Sequence, residues 1–299
     1  MEKLLFTGAS GFLGHNVRPL LAERYDITTI GLTPQDDYPV NMAVEVPVLR
    51  ERYDVVLHAA GKAHVVPRTE AERQAFYDVN LQGTKNLCKA LDKAGVPKAI
   101  IFISTVAVYG CDFGENVTEE HPLDGDTPYA DSKKQAEAYL HDWCCQRNVV
   151  LGILRPSLLA GPNPPGNLGA MIQGIRTGRY LSIAGGKARK SVLMVQDIAR
   201  LVPLLVEKGG VYNVCDSGQP TFRALETSIC KQLGKSLPLS VPYWFAKSLA
   251  LIGDCMGKKA PINSMKLDKI TKSLTFSNEK AIQELGWMPL DVLEYFRIS

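Results

Sequence analysis

A tyrosine and a lysine four residues apart, Tyr129 and Lys133, are the residues of this sequence best suited to proton transfer. On a helix this spacing places both side chains on one face, one turn apart. A tyrosine with a pKa near 10 is a poor base at neutral pH, but a nearby cation favours its phenolate form. Lowering that pKa by about three units takes about 4 kcal/mol, which the lysine and a second cation could supply together.

The Tyr-x-x-x-Lys spacing is not specific by itself, because Tyr243 and Lys247 repeat it later in the chain. That second copy lies in an apolar helical pattern and has no hydroxyl-bearing strand end before it. We therefore interpret it as packing.

Two hydroxyl residues, Ser104 and Thr105, follow the apolar run Ala99–Ile103. At the carboxyl end of a central parallel strand, such residues lie where α/β proteins bind their ligands. Thr105 would then hydrogen-bond the same substrate oxygen as Tyr129 and hold it in line. This combination predicts proton transfer coupled to hydride transfer at a carbinol carbon.

A glycine-rich turn near the start of the chain suits a bound pyrophosphate. The first apolar run stops at Gly8, Gly11 and Gly14, and a helical pattern follows. The pattern predicts a buried strand, a tight turn and a helix whose unpaired N–H groups and partial positive charge face the phosphates. Glycines in such a unit make the turn, admit the phosphates and let helix and strand pack closely. A glycine-rich surface turn remains the alternative reading of this stretch alone.

Strand and helix patterns alternate through the first half of the sequence. Apolar, partly β-branched runs recur at residues 27–32, 54–61, 99–103 and 149–154. This alternation predicts an α/β fold with a doubly wound parallel (Rossmann) sheet.

The composition of the sequence changes after Gly161, where a proline-rich loop begins and the predicted elements become shorter. We place an NAD(P)-binding Rossmann domain at residues 1–161 and a smaller, interleaved substrate-binding region at residues 162–299. The run Val211–Val214 is predicted to return to the sheet.

Two polar residues lie inside apolar patterns. His58 falls within a predicted central strand, and we interpret it as a packed core histidine in preference to a catalytic one. Asn80 faces inward on a predicted helix over 76–91, so it needs a buried hydrogen-bond partner.

Bulk composition excludes several classes of function. The 299 residues carry a net charge of +3, which gives no electrostatic argument for nucleic acid. The start of the chain does not resemble a signal peptide, and no run of 18 apolar residues predicts membrane insertion. Seven cysteines without a C-x-x-C pair predict reduced thiols in a cytoplasmic protein and no metal site.

In combination these motifs resemble the extended short-chain dehydrogenase/reductase (NAD-dependent epimerase/dehydratase) family almost from end to end. The matching segments are Thr7-Gly8-Ala9-Ser10-Gly11-Phe12-Leu13-Gly14, His58-Ala59-Ala60, Asn80, Ser104-Thr105 with Val108-Tyr109-Gly110, Pro128-Tyr129 with Ser132-Lys133 and Glu137, Arg155-Pro156, and Leu285-Gly286-Trp287 with Pro289. Within the family, the run from Ala60 to Val66 (including His64) and the step Asn167-Leu168 are most similar to sugar-nucleotide 4-epimerases and 4-keto-sugar reductases of surface-polysaccharide synthesis.

The resemblance implies a role for each matching residue. Tyr129 would be the catalytic acid and base, Lys133 would bind the nicotinamide ribose and lower the tyrosine pKa, and Thr105 would align the substrate. The implied cofactor-binding residues are Gly8, Ser10, Gly11, Phe12, Leu13, Gly14, Thr33, Ala59, Ala60, Gly61, Asn80, Ser104, Tyr129, Lys133, Pro156, Ser157 and Leu158. The implied substrate-binding residues are Thr105, Val106, Asn167, Leu168 and Lys190, although a solvated basic face is an alternative for Lys190.

Two departures from the family pattern matter. The place at the end of the second strand, where an acidic residue favours NAD over NADP, holds Leu32 and Thr33, and Asp36 and Asp37 come only later. The choice between NAD and NADP is therefore open. Val106 and the alanine after it replace the Asp-Glu of the dehydratases, which argues against water elimination.

The resemblance implies an enzyme that acts at C4 of a nucleotide-linked hexose, with a UDP-sugar as its expected substrate. It would epimerise through a transient 4-ketose with retained cofactor, or reduce a 4-keto sugar with consumption of NAD(P)H. A non-catalytic NAD(P)-binding sensor or structural relative is the alternative. A homodimer is a further expectation from the resemblance.

Overall fold

Thirteen β-strands are found in the part of the chain that the computed structural model describes, which comprises residues 1–63, 65–256 and 263–298. They are β1 (Glu2–Thr7), β2 (Tyr25–Gly31), β3 (Tyr38–Pro39), β4 (Val55–His58), β5 (Ala99–Ile103), β6 (Gly114–Val117), β7 (Val150–Pro156), β8 (Leu158–Ala160), β9 (Ser182–Ile183), β10 (Val192–Met194), β11 (Gly210–Val214), β12 (Ser240–Val241) and β13 (Leu274–Phe276).

Seven of these strands form one parallel sheet in the order β3-β2-β1-β4-β5-β7-β11. The order reverses between β1 and β4, and all carboxyl ends lie at one edge of the sheet. In open α/β sheets, ligands bind in the crevice at such a switch point. The predicted doubly wound Rossmann sheet is confirmed.

The described helices are α1 (Phe12–Leu21), α2 (Glu70–Tyr77), α3 (Gly83–Ala94), α4 (Pro128–Arg147), α5 (Gly166–Arg176), α6 (Asp197–Lys208), α7 (Phe222–Leu233), α8 (Tyr243–Met256), α9 (Ser264–Thr271), α10 (Glu279–Leu285) and α11 (Val292–Tyr295). A π-helical turn, Asp78–Gln82, joins α2 to α3, and a short 3₁₀ helix, Val106–Tyr109, follows β5. None of the helices in the described ranges is long and apolar enough to cross a membrane.

The strands are apolar throughout because both faces of the sheet are covered. Leu4 and Phe6 of β1 belong to a core shared with α1 and α6, whereas Leu5 belongs to a core shared with α3 and α4. Successive side chains of a strand point to opposite faces, so a doubly covered strand needs an unbroken apolar run. This packing fixes where each strand ends, and therefore where the ligand crevice lies.

The two regions of the chain exchange strands. β11, from the second half, pairs with β7 in the central sheet, while β6, from the first half, pairs with β13 in a small peripheral sheet. Two further small sheets pair β8 with β10 and β9 with β12. The division of the chain at residues 161 and 162 stays a prediction.

His58 is a buried core residue of β4. Its Nδ1 lies 2.7 Å from the hydroxyl of Thr7, and its Nε2 lies 2.8 Å from the hydroxyl of Thr84. Burial, with the positive charge of Lys133 as a smaller cause, lowers the pKa of His58 to about 3. The neutral ring therefore bridges β1, β4 and α3, in agreement with the packing interpretation.

We predict that His58 makes stability depend on pH. Between pH 6.5 and about 4 the unfolded chain binds a proton at His58 while the folded chain does not. The free energy of unfolding should therefore fall as pH falls, by roughly 1.4 kcal/mol per pH unit from this group. Urea unfolding at several pH values should show this slope in the wild type and lose it in His58→Gln. Parallel profiles for the two proteins would contradict the assignment.

Candidate active site

The glycine turn after β1 forms a close-fitting cradle at the carboxyl edge of the sheet. Gly8 has a φ of +79°, and a Cβ there would lie 2.7 Å from the backbone nitrogen of Ala60. A Cβ at Gly14 would lie 2.2 Å from the carbonyl oxygen of Ala9. Gly11 is the N-cap of α1, so the helix begins without a side-chain cap, and its first turn has no acidic residue. Its first N–H groups are therefore directed towards an anion site.

A second feature of the crevice fits a dinucleotide. The hydroxyl of Ser157, at the end of β7, is buried and has no hydrogen-bond partner. An unpaired buried hydroxyl is costly unless a ligand completes it, and the carboxamide of a nicotinamide is a suitable partner. The cradle and Ser157 both fit NAD(P). When bound, this cofactor supplies the hydride acceptor or donor.

An acidic residue, Asp36, lies against the end of β2, although it comes only after Thr33 in the sequence. The side chain of Asp36 turns back, and its Oδ2 accepts hydrogen bonds from the N–H (3.0 Å) and hydroxyl (2.6 Å) of Thr33. A Cβ at Gly31 would lie 2.3 Å from the same oxygen. The buried carboxylate of Asp36 therefore lies directly against the last residue of β2, where the family pattern has its acidic residue.

Tyr129 and Thr105 meet at the carboxyl edge of the sheet. Tyr129 lies in the first turn of α4, which begins after the Thr127 cap, and its phenol lies close to the Thr105 hydroxyl. The Oγ1 of Thr105 also accepts the N–H of Ala107 at 3.1 Å, which fixes its rotamer. Burial raises the pKa of Tyr129, and only the hydrogen bond from Thr105 lowers it.

In the protein alone, Lys133 is not among the groups that lower the Tyr129 pKa, and the expected lowering stays a prediction. The Nζ of Lys133 does not pair with the phenol, because it donates to the carbonyl of Ile103 at 2.8 Å and lies 4.6 Å above the ring of Phe102. Burial lowers the pKa of Lys133 itself to about 8, against the opposing charge of Glu137. Because burial raises its pKa, the Tyr129 phenol is protonated at neutral pH in the protein alone.

Asn80 holds the backbone beside Lys133. Its Oδ1 accepts the N–H of Lys62 at 2.7 Å, and its Nδ2 donates to the hydroxyl of Ser132 at 2.9 Å. A Cβ at Gly61 would lie 3.1 Å from the Oδ1 of Asn80 and 3.2 Å from the Nζ of Lys133. The hydrogen-bond partners expected for a buried Asn80 are therefore groups of the protein itself. A contact between Asn80 and the cofactor stays a prediction.

Beneath these residues lies a buried polar network. Arg155 of β7 pairs with Glu137 of α4 through two hydrogen bonds, of 2.6 and 3.2 Å, and donates to the Tyr109 hydroxyl at 2.9 Å. The Tyr109 hydroxyl donates to the amide of Asn213 in β11 at 2.7 Å. Ser104 donates to Glu137 from the end of β5. The hydroxyl of Ser104 is therefore a donor within this network. A contact between Ser104 and the cofactor stays a prediction.

The predicted substrate residues lie on different elements. Asn167 is exposed in the first turn of α5, whereas the side chain of Leu168 is buried in a core cluster and leaves only its backbone for a ligand. Lys190 donates to the carbonyl of Lys272 at 3.1 Å, and burial lowers its pKa to about 8. Val106 begins the 3₁₀ helix beside Thr105.

The remaining predicted cofactor residues lie around the same crevice. Ser10, Phe12 and Leu13 lie in the glycine turn and at the start of α1, Ala59 follows β4, and Pro156 and Leu158 flank Ser157. His64, part of the run that supported the resemblance, lies outside the described residues.

Sequence reasoning gave no role to three residues that organise this site: Asp36, Glu137 and Arg155. The last two belong to the quoted motifs, and their opposite charges within apolar patterns were the available signal.

This chain is similar in sequence to several known proteins. The sequence model of the "NAD dependent epimerase/dehydratase family" matches residues 4–215. The chain is 28% identical over 93% of its length to an Escherichia coli O157:H7 protein, N-acetyl-alpha-D-glucosaminyl-diphospho-ditrans,octacis-undecaprenol 4-epimerase, and covers 88% of it. It is 26% identical over 98% of its length to UDP-glucose 4-epimerase of Vibrio cholerae, of which it covers 92%.

Another relative is a reductase. GDP-6-deoxy-D-mannose reductase of Pseudomonas aeruginosa is 28% identical over 75% of this chain and 78% of its own length. The relatives therefore include both epimerases and a reductase.

Solved structures share the fold. UDP-glucose 4-epimerase of Thermotoga maritima with UDP-glucose has a TM-score of 0.73 at 22% identity, over 98% of this chain and 95% of that one. RMD from Pseudomonas aeruginosa complexed with NADPH gives the same score, identity and coverage. UDP-glucose 4-epimerase of Thermus thermophilus with NAD scores 0.71 at 22% identity, over 96% and 94%. At these identities the likeness concerns the fold alone.

We expect Asp36 to make NAD the preferred cofactor, because its buried carboxylate would repel a 2′-phosphate at the end of β2. Asp36→Asn removes the charge and should shift the ratio of the NADP and NAD dissociation constants towards NADP by about tenfold. Titration of both nucleotides by calorimetry measures the ratio without turnover. Asp37→Asn is the matched control, since the Asp37 carboxylate accepts from Thr29 instead. Equal ratios in the two variants would contradict this role.

The buried pair of Glu137 and Arg155 should be costly to break. Arg155→Met leaves the Glu137 carboxylate buried without its cation and should lower the free energy of unfolding by about 3–5 kcal/mol. Replacing both residues, as Glu137→Leu with Arg155→Met, should recover a large part of that loss, because no unpaired charge remains. Urea unfolding of the three proteins tests this, and a single-variant loss below about 1 kcal/mol would refute it.

Proposed function

The chain belongs to the NAD dependent epimerase/dehydratase family, and we propose that it moves a hydride at C4 of a nucleotide-linked hexose, with Tyr129 as acid and base. One observation supports this most directly. The phenol of Tyr129 and the hydroxyl of Thr105 lie close together at the carboxyl edge of the sheet, the edge at which the glycine cradle and Ser157 also lie.

The general class of enzyme predicted from the sequence is confirmed. The family match and the relatives identify an NAD(P)-dependent epimerase or reductase of the extended short-chain type. The predicted cofactor class, NAD or NADP, is confirmed by the family match, because the matched family is described as NAD dependent.

Tyr129 is the proposed proton carrier. Its raised pKa keeps the phenol protonated at neutral pH, which is the form that donates a proton to the carbonyl oxygen at C4 of a keto sugar. Thr105 is fixed by its bond to the Ala107 N–H, so its hydroxyl can hold the same sugar oxygen in line. In the reverse direction the phenolate accepts the hydroxyl proton of the sugar.

Lys133 is proposed to place a positive charge under the nicotinamide ribose. Its Nζ donates to the Ile103 carbonyl and lies beside Gly61, after the end of β4. A ribose hydroxyl there would accept a second hydrogen bond from the ammonium group. A pKa of about 8 leaves Lys133 mainly protonated at neutral pH. Its charge would then favour the Tyr129 phenolate when a substrate proton is withdrawn.

The substrate is proposed to be a UDP-sugar. The related epimerases act on UDP-glucose or on a sugar linked through diphosphate to undecaprenol, so a diphosphate-linked sugar is the common feature. Asn167, exposed at the uncapped start of α5, and Lys190 offer a donor and a cation for that diphosphate.

Epimerisation and reduction use the same three residues, and one experiment separates them. Purified protein is mixed with a 4-keto-6-deoxy sugar nucleotide and NAD(P)H, and the NAD(P)H absorbance is followed. Stoichiometric loss supports a reductase. No loss, together with protein-bound NAD and a C4-inverted product from an ordinary UDP-sugar, supports an epimerase.

We predict that Tyr129→Phe removes turnover and leaves cofactor binding intact. The change deletes one hydroxyl and keeps the ring that packs 6.3 Å from Phe76. Loss of a positioned acid and base typically costs 10²–10⁴-fold in rate. Tyr243→Phe removes the same group from the second Tyr-x-x-x-Lys copy and should have no effect on turnover. Unchanged turnover in Tyr129→Phe would favour the non-catalytic sensor.

Two further parts of the proposal concern the whole molecule. We propose a cytoplasmic location, supported by free thiols at the six cysteines whose side chains the structure describes, including Cys88 and Cys144. The family resemblance implies a homodimer, which light scattering during size-exclusion chromatography tests.

A further inference from the structure

Helix α8 buries its small residues and exposes its large ones. Ala246 and Ala250 face the protein and are fully covered, whereas Trp244 is 69% exposed and Ile252 is 61% exposed. Phe245 is also exposed and packs edge-on against Trp244, with ring centroids 5.8 Å apart. A helix that packs on a domain normally has the opposite arrangement.

The apolar surface continues onto the neighbouring pair of short strands. Ile183 of β9 and Val241 of β12 pack under α8 in one small core. Leu181 and Leu239 directly precede these strands, and the N–H of Ser182 donates to the carbonyl of Leu239 at 3.0 Å, which brings the two leucines close together. Leu239 is 79% exposed. We call Leu181, Leu239, Trp244, Phe245 and Ile252 the α8 face.

Positive charge is concentrated in the same part of the sequence. Residues 231–272 contain eight lysines, two aspartates and no glutamate or arginine, which gives a net charge of +6. The whole chain carries only +3, so the remaining residues are net acidic. Lys247 borders the α8 face, with its ammonium group 6.0 Å from the ring centroid of Tyr243.

We propose that the α8 face docks on an anionic phospholipid surface, an interaction that goes beyond the proposed catalytic function. An exposed apolar helix face with aromatic residues and flanking lysines has the chemistry of helices that lie in the plane of a bilayer interface. Tyrosine and tryptophan suit this position because each has an apolar ring and a polar group. The lysines add attraction to anionic headgroups. A second copy of the chain fits less well, because two copies of segment 231–272, each with a net charge of +6, would repel each other.

The α8 face also lies near the proposed substrate side of the crevice. α9 packs against α8 through Leu267, and Lys269 of α9 pairs with Asp112 at 3.0 Å, just beyond the 3₁₀ helix that follows Thr105. The carbonyl of Lys272, which follows α9, accepts the hydrogen bond from Lys190. Docking would therefore hold the substrate-binding region close to the lipid surface.

Tryptophan fluorescence of the full chain gives a direct test. Trp143 and Trp287 are buried, so Trp244 is the exposed tryptophan of the three. Vesicles of phosphatidylglycerol and phosphatidylcholine should shift its emission to shorter wavelength and carry the protein into the pellet on centrifugation. Pure phosphatidylcholine vesicles and high salt should weaken both effects.

A matched pair of variants assigns any binding to the α8 face. Phe245→Ser with Ile252→Ser should weaken partitioning into anionic vesicles by about tenfold or more. Val48→Ser, which removes an 83% exposed valine between β3 and β4, should leave it unchanged. Cooperative urea unfolding of both variants shows that each is folded, and neither this control nor the vesicle assay needs cofactor binding or turnover, so the test is independent of the proposed function.

Three results would overturn the proposal. The first is a failure of the wild-type protein to bind anionic vesicles, and the second is equal binding by the Phe245→Ser/Ile252→Ser variant. The third is an emission shift of Trp244 that follows protein concentration without vesicles, since that indicates self-association through this face.

Discussion

The buried ion pair between Glu137 and Arg155 is the constraint on which the candidate site depends. It joins the middle of α4 to β7, and its remaining hydrogen bonds reach β5 through Ser104 and β11 through Tyr109 and Asn213. A buried charge pair is stable only in one geometry, because each group must keep its partners. α4 is thereby held in register with the strand ends, and its first two turns carry the residues of the proposed chemistry.

Local patterns in the sequence predicted the fold and most of the crevice because their causes are local. A doubly covered strand must be apolar throughout, as Leu4, Leu5 and Phe6 show, and only glycine tolerates the φ of Gly8 and the contact of Gly14 with Ala9. Parallel strands end at one edge of a sheet. The order of motifs along the chain was therefore enough to bring Thr105 and Tyr129 together.

Other features depend on how distant segments fold back, and the sequence could not supply them. The acidic residue at the end of β2 was sought beside Thr33, whereas Asp36 reaches the position through a tight turn. The raised pKa of Tyr129 could not be predicted from the sequence, because it results from burial of the phenol. The sequence also does not show that the Lys133 ammonium group donates to the carbonyl of Ile103. The large exposed residues of α8, such as Trp244, resemble core residues until their exposure is known.

Deuteride transfer to the sugar tests the central claim, hydride chemistry at C4 with Tyr129 as the proton carrier, most directly. In a single turnover, protein that has been freed of nucleotide and reloaded with reduced nicotinamide cofactor, deuterated at its transferable position, is given a 4-keto sugar nucleotide, and the product is examined by NMR. We predict one deuterium at C4 of the sugar, for an epimerase and for a reductase alike. Deuterium at another carbon, or none in the sugar while a C4 carbinol forms, would contradict the account.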